Sequence, residues 1–196
     1  MSPVALAAFV AGLIVFFGTH YYSAFRSREP EAWAQRMGRA YKGLFGLVSL
    51  VAFVAIVWGY ANIGIFINVW NPPSWTRHIA MTLMLPALVL IVAAYTPTGY
   101  IKKAVKHPML TAVKLWALAH LIANGDLMSM ILFAAFLIYG VVDRIAVKRR
   151  GDAGAAAARP NVFGDLIALA VGIAVYAALV TFLHQRIFGV PILLGN

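Results

Sequence analysis

The chain has 196 residues, 63% of them hydrophobic and 11% charged, against roughly 45–50% and 25% for an average soluble domain. That excludes a water-soluble globule and predicts an all-α, polytopic membrane bundle, with residues 1–196 as one membrane domain in contact with the lipid bilayer. The net charge of +10 fits basic loops on one side of a membrane; those loops carry no helix-turn-helix, zinc-finger or RNA-binding signature, so no nucleic-acid partner is expected.

A span needs about 20 mostly apolar residues. The first runs over Val4–Phe25. No basic stretch precedes it, as one would in a secretory signal, so it reads as a retained helix with its N-terminus outside. The second runs over Gly43–Ile63, and the third over Ile79–Tyr95 with Pro86 as a kink point. Leu110–Val142 is too long for one crossing, and Asn124-Gly125-Asp126 is a turn signal near its centre. It therefore divides into Met109–Ala123 and Leu127–Val142, either two crossings or a short hairpin. The last span is Val162–Leu183, where Gly164, Ala168 and Gly172 recur every four residues as a seam for close helix approach.

Six crossings that start outside place Arg26, Arg28, Arg36, Arg39 and Lys42 in one cytoplasmic loop. Lys102, Lys103, Lys106 and Lys114 fall in the next, and Arg144, Lys148, Arg149, Arg150 and Arg159 in the third. Only Arg77 and Arg186 remain outside, which is the positive-inside asymmetry. Both termini are then expected outside a bacterial inner membrane. Trp58, Tyr60, Trp70 and Trp75 form an interfacial belt around the first outer loop.

Ionisable groups within spans are functional candidates. A neutral imidazole can ligate haem iron or another transition metal. His20 lies near the inner end of the first span, where it ligates a metal or snorkels to the headgroups. Trp116, His120 and Asn124 share one helix face; His120 either ligates or bridges helices. Asn124 bonds to its own turn or orients His120 through water. His107 precedes Pro108 and reads as an interfacial cap, His78 and His184 as headgroup or water contacts. Asp126 caps the helix that follows it, Asp165 sits in the first turn of the last helix, and Asp143 pairs with Arg144 or Lys148. No paired carboxylates and no Gly-rich phosphate loop occur, so hydrolysis and nucleotide chemistry find no support.

The stretch "HPMLTAVKLWALAHLIANGDLMSMILF", with "FFGTHYYSAFRSR", "GRAYKGLFGLVSL" and "HQRIFGVPIL", resembles the NnrU family of bacterial inner-membrane proteins across nearly the whole chain. The resemblance implies a link to denitrification and nitric-oxide metabolism. The family is similar to the 15-cis-zeta-carotene isomerases, haem b membrane enzymes whose axial ligands match His20 and His120 here. Where those enzymes carry an alternative cysteine ligand, this chain has Ala117.

The expectation is thus a haem b protein with His20 and His120 as axial ligands and Trp116 and Asn124 beside them. His107, Asp126 and His184 are secondary candidates. The partner would be a membrane redox protein or, in an isomerase-like variant, an apolar polyene. A haem-free assembly or partner-binding factor is the rival. Full crossings would set His20 and His120 at depths roughly 15 Å apart, at ~1.5 Å per residue. The arm carrying Lys114 is therefore expected to be short or tilted.

Overall fold

The computed structural model describes residues 2–193. The helices are α1 (Pro3–Phe25), α2 (Trp33–Met37), α3 (Arg39–Asn62), α4 (Thr76–Tyr95), α5 (Tyr100–Val105), α6 (Pro108–Ala123), α7 (Leu127–Arg149), α8 (Val162–Ala178) and α9 (His184–Phe188). A single π-helical turn, Leu179–Leu183, joins α8 to α9. Among the described residues, five stretches are long and apolar enough to cross a membrane: α1, α3, α4, α7 and the continuous Val162–Phe188. Only 11% to 28% of each apolar window is buried inside the protein, so most of that surface needs a lipid solvent rather than water. The fold is an all-α polytopic helical bundle.

The division at Asn124–Asp126 is as expected, and α6 is the short arm. Its 16 residues reach roughly 24 Å at 1.5 Å each, less than the ~30 Å hydrocarbon core. Several expected boundaries move. The fifth expected span ends at Val142, but α7 continues to Arg149, because lysine and arginine are good helix formers and do not stop a helix that has left the hydrocarbon. The fourth helix runs through Pro86 without interruption.

The chain folds as two compact units interleaved in sequence. Unit 1 holds α1, α2, α3 and α7. Ser2 caps α1 by accepting from the Ala5 N–H at 3.3 Å. Helices α1 and α3 meet where each has lost a side chain. A Cβ on Gly12 would sit 2.9 Å from the Ala52 carbonyl oxygen, and one on Gly59 would sit 2.6 Å from the Phe9 nitrogen. Helix α7 starts at Asp126, whose carboxylate accepts from the Ser129 N–H at 2.9 Å. Ser129 is fully buried, and its hydroxyl lies 2.5 Å from that of Tyr60 on α3. The Phe136 ring of α7 packs on Phe16 and Phe17 of α1, centroids 5.5 and 5.0 Å away.

Unit 2 is built on α4, which packs against α6 and α8. The seam expected on the last span is present: Gly164, Ala168 and Gly172 are all buried, and a Cβ on Gly172 would meet the Val89 Cα at 2.7 Å. Lys102 closes the end of α4, its ammonium donating to the Ala94 and Thr96 carbonyls at 2.9 and 3.0 Å, where the helix dipole favours a cation. Asp165 accepts from the Tyr100 and Ile101 N–H groups at 2.7 and 3.0 Å. The acid expected to serve its own helix therefore caps α5 as well.

Candidate functional site

In unit 1, His20 stands one turn from the end of α1. Its Nδ1–H donates to the Phe16 carbonyl at 2.7 Å. A carbonyl only accepts, so Nδ1 carries the proton and Nε2 holds the lone pair in the neutral ring. The imidazole stacks on Phe16 at 4.1 Å and 25°, and touches Phe45 at 5.0 Å and Tyr139, edge-on, at 5.4 Å. The Tyr139 hydroxyl donates to Asp143 at 3.2 Å. That phenol is the partner the structure gives Asp143, where the sequence suggested Arg144 or Lys148; the i,i+4 spacing on α7 brings the two together.

Beside this cage lies an apolar crevice of about 200 Å³, lined by Gly18, Tyr22, Trp33, Tyr41 and Phe45 among others. The Tyr41 hydroxyl is buried and has no hydrogen-bond partner among the described residues. Phe45 forms part of both the crevice wall and the His20 cage.

In unit 2, His120 repeats the pattern of His20. Its Nδ1–H donates to the Trp116 carbonyl at 2.9 Å, again leaving the lone pair on Nε2. The Trp116 ring lies 5.3 Å from the imidazole, so the two share a helix face as expected. Asn124 takes the first of its two expected roles: its amide donates to the His120 backbone carbonyl at 2.7 Å and closes the end of α6. It bonds the carbonyl, not the ring. Gly125 is required beside it, since a Cβ there would run into the Trp70 carbonyl. Ala117 is fully buried and brings only a methyl group to the place of the isomerases' cysteine.

The His184 imidazole lies 6.5 Å from that of His120, the planes 30° apart. Its Nδ1–H donates to the Val190 carbonyl at 2.8 Å. The sequence suggested headgroup or water contact here; the structure gives the ring a backbone partner and an imidazole neighbour. The signal was hidden, because the π turn resets the face on which His184 emerges.

His107 is committed elsewhere. Its Nε2 contacts the Asp152 carbonyl at 3.1 Å, and the Ala155 N–H donates to the Lys106 carbonyl at 3.1 Å. The ring pins the loop that leads to the 3-10 turn Gly154–Ala157 and makes no capping hydrogen bond to α6. Asp126 serves as the α7 cap. Among the described residues no three His, Cys, Asp or Glu side chains gather to hold a metal ion. Two imidazoles, those of His120 and His184, do lie side by side.

No curated protein and no solved structure matches the chain. A family model described as "NnrU protein" matches residues 8–192, which takes in His20, His120 and His184 and leaves out only a few residues at each end. The chain belongs to the NnrU family.

Proposed function

We propose that this NnrU-family membrane protein binds haem b and serves a redox step of nitrogen-oxide respiration, or a related process, in the bacterial inner membrane. The observation that carries the reading is the backbone hydrogen bond to the His120 imidazole. Its Nδ1–H is held by a backbone carbonyl, an arrangement that fixes the tautomer and orients the ring. His20 and His184 each have the same arrangement. Imidazoles held in this way suit haem iron as ligands. Bound haem would supply a one-electron couple tuned by its axial ligands and by burial. The chain itself would orient the imidazoles, and its apolar walls would limit access of water.

A polyene-isomerising role is the weaker variant. It would call for a second, exchangeable donor, and the buried Ala117 methyl offers none. The asymmetry of basic loops supports an orientation with the α1–α2 and α7–α8 connections in the cytoplasm.

The test is direct. The protein is expressed with ample haem, purified in detergent and its absorption recorded oxidised and reduced. A Soret band that extracts as haem b is the expected result. A colourless, folded protein refutes the reading and favours a haem-free partner-binding factor.

A further inference from the structure

We infer that the crevice of unit 1 holds one anionic phospholipid, with an acyl chain between α1 and α3 and the phosphate on the cations around the α2–α3 junction. This goes beyond the haem reading and does not depend on it: a haem-free protein that keeps its lipid would leave it intact. The crevice, of about 200 Å³, is walled by Gly18 and Tyr22 of α1, Trp33 of α2, and Tyr41 and Phe45 of α3. Gly18 leaves room in it, since nothing lies within 4 Å of a Cβ added there. Along α3 the walls reach from Tyr41 to Val48, roughly 10 Å at ~1.5 Å per residue. The space therefore begins near the charged end of α3 and runs into the apolar span, the course a lipid tail takes. No charged side chain lines it, so an ionic group can be held only at its mouth.

Cations wait at that mouth. Arg36 lies on α2, and Arg39 and Lys42 stand either side of Tyr41 in the first turn of α3. All three residues are exposed, and none forms an ion pair among the described residues. The dipole at this end of α3 disfavours Arg39 and Lys42, and no acid accompanies them in that turn. The basic end of α7 differs. Lys148 and Arg149 occupy its last turn, where the dipole favours cations, and Arg150 donates to the Ala24 carbonyl of α1. That cluster is stabilised from within the protein, whereas the cluster beside the crevice is not. Lysines and arginines gathered next to a membrane helix bind anionic headgroups.

The Tyr41 hydroxyl joins the two halves. It is buried and has no hydrogen-bond partner among the described residues, which leaves its desolvation uncompensated. The Trp33 ring packs against that of Tyr41 at 5.2 Å and 81°. A phospholipid carries ester carbonyls between tail and phosphate. With the tail in the crevice and the phosphate on Arg39 and Lys42, an acceptor arrives at the level of Tyr41. One molecule thus fills the apolar space, neutralises the unpaired cations and bonds the orphan phenol.

The full chain is reconstituted in bilayers of equimolar phosphatidylglycerol and phosphatidylcholine and released into mild detergent. Native mass spectrometry then counts the lipid that stays bound, and thermal unfolding is followed with each lipid added back. Wild type should retain one phosphatidylglycerol and be stabilised by it, and not by phosphatidylcholine or soluble glycerol phosphate. The triple variant Arg36→Gln, Arg39→Gln, Lys42→Gln should weaken retention by about tenfold or more. The double variant Lys148→Gln, Arg149→Gln should leave it unchanged. Tyr41→Phe, which removes one neutral hydrogen bond, should weaken it roughly fivefold. Gly18→Leu should fill the crevice and abolish retention while circular dichroism shows wild-type helix content; if that variant loses helix, the comparison of the two charge variants decides. Equal losses in both charge variants, or equal retention of phosphatidylcholine by wild type, overturn the assignment in favour of diffuse attraction to the bilayer. A folded Gly18→Leu chain that keeps its phosphatidylglycerol overturns it too.

Discussion

Helix α1 carries two glycines that should respond to the same substitution with opposite signs. At Gly12 a Cβ would sit 2.9 Å from the Ala52 carbonyl oxygen, the Ile56 nitrogen and the Ile56 side chain. Two of those atoms are backbone, so relief requires α3 to move. Overpacking of this kind costs roughly 1–3 kcal/mol. Alanine returns about 0.5–1 kcal/mol through its better helix propensity, and the net loss is about 0–2.5 kcal/mol. At Gly18, six residues on, nothing lies within 4 Å of the added carbon. Only the propensity gain remains, so Gly18→Ala should stabilise by about 0.5–1 kcal/mol. Reversible unfolding in mixed micelles, followed by circular dichroism against the mole fraction of denaturing detergent, reads both. The reasoning fails if Gly12→Ala is the more stable of the two variants.

Two further outcomes test unit 2 and unit 1 in turn. Asp165→Ala should free the Tyr100 and Ile101 amides and cost about 1–2 kcal/mol, the scale of a lost helix cap; Asp165→Asn, which keeps one acceptor oxygen, should cost about half, and hydrogen exchange at those two amides that stays as slow as wild type in the alanine variant would contradict the cap. The Tyr60–Ser129 hydrogen bond should show a coupling energy of about 0.6–1.7 kcal/mol in a Tyr60→Phe, Ser129→Ala double-mutant cycle, as side-chain bonds between membrane helices do, and strict additivity would remove it from the account of how α3 holds α7.

What the sequence made legible was what depends on neighbours along the chain. Asn124-Gly125-Asp126 announced a break because turn residues and a capping acid act locally, and α6 and α7 end and begin there. Gly164, Ala168 and Gly172 announced a seam because all three lie on one helix. The α1–α3 seam escaped notice because its glycines, Gly12 and Gly59, sit on different helices and form no periodic pattern. Short helices α2 and α5 were hidden in polar loops, since five or six residues carry too little hydrophobic period to register. At the site, the shared face of Trp116 and His120 followed from a spacing of four. The approach of His184 did not, because it depends on a π turn that no residue in Leu179–Leu183 signals. The cage of Phe45 and Tyr139 around His20 likewise joins residues distant in sequence, on three helices.

The shortness of α6 reaches beyond the protein. A helix of roughly 24 Å cannot match a hydrocarbon slab of ~30 Å, and the mismatch has an elastic cost for every ångström left uncovered. Bilayers built from shorter acyl chains relieve that cost and thicker, more ordered ones increase it. The stability of the segment that carries His120 is therefore coupled to the acyl composition of the host membrane, so growth temperature, by changing chain length and order, would also change how firmly that histidine is held.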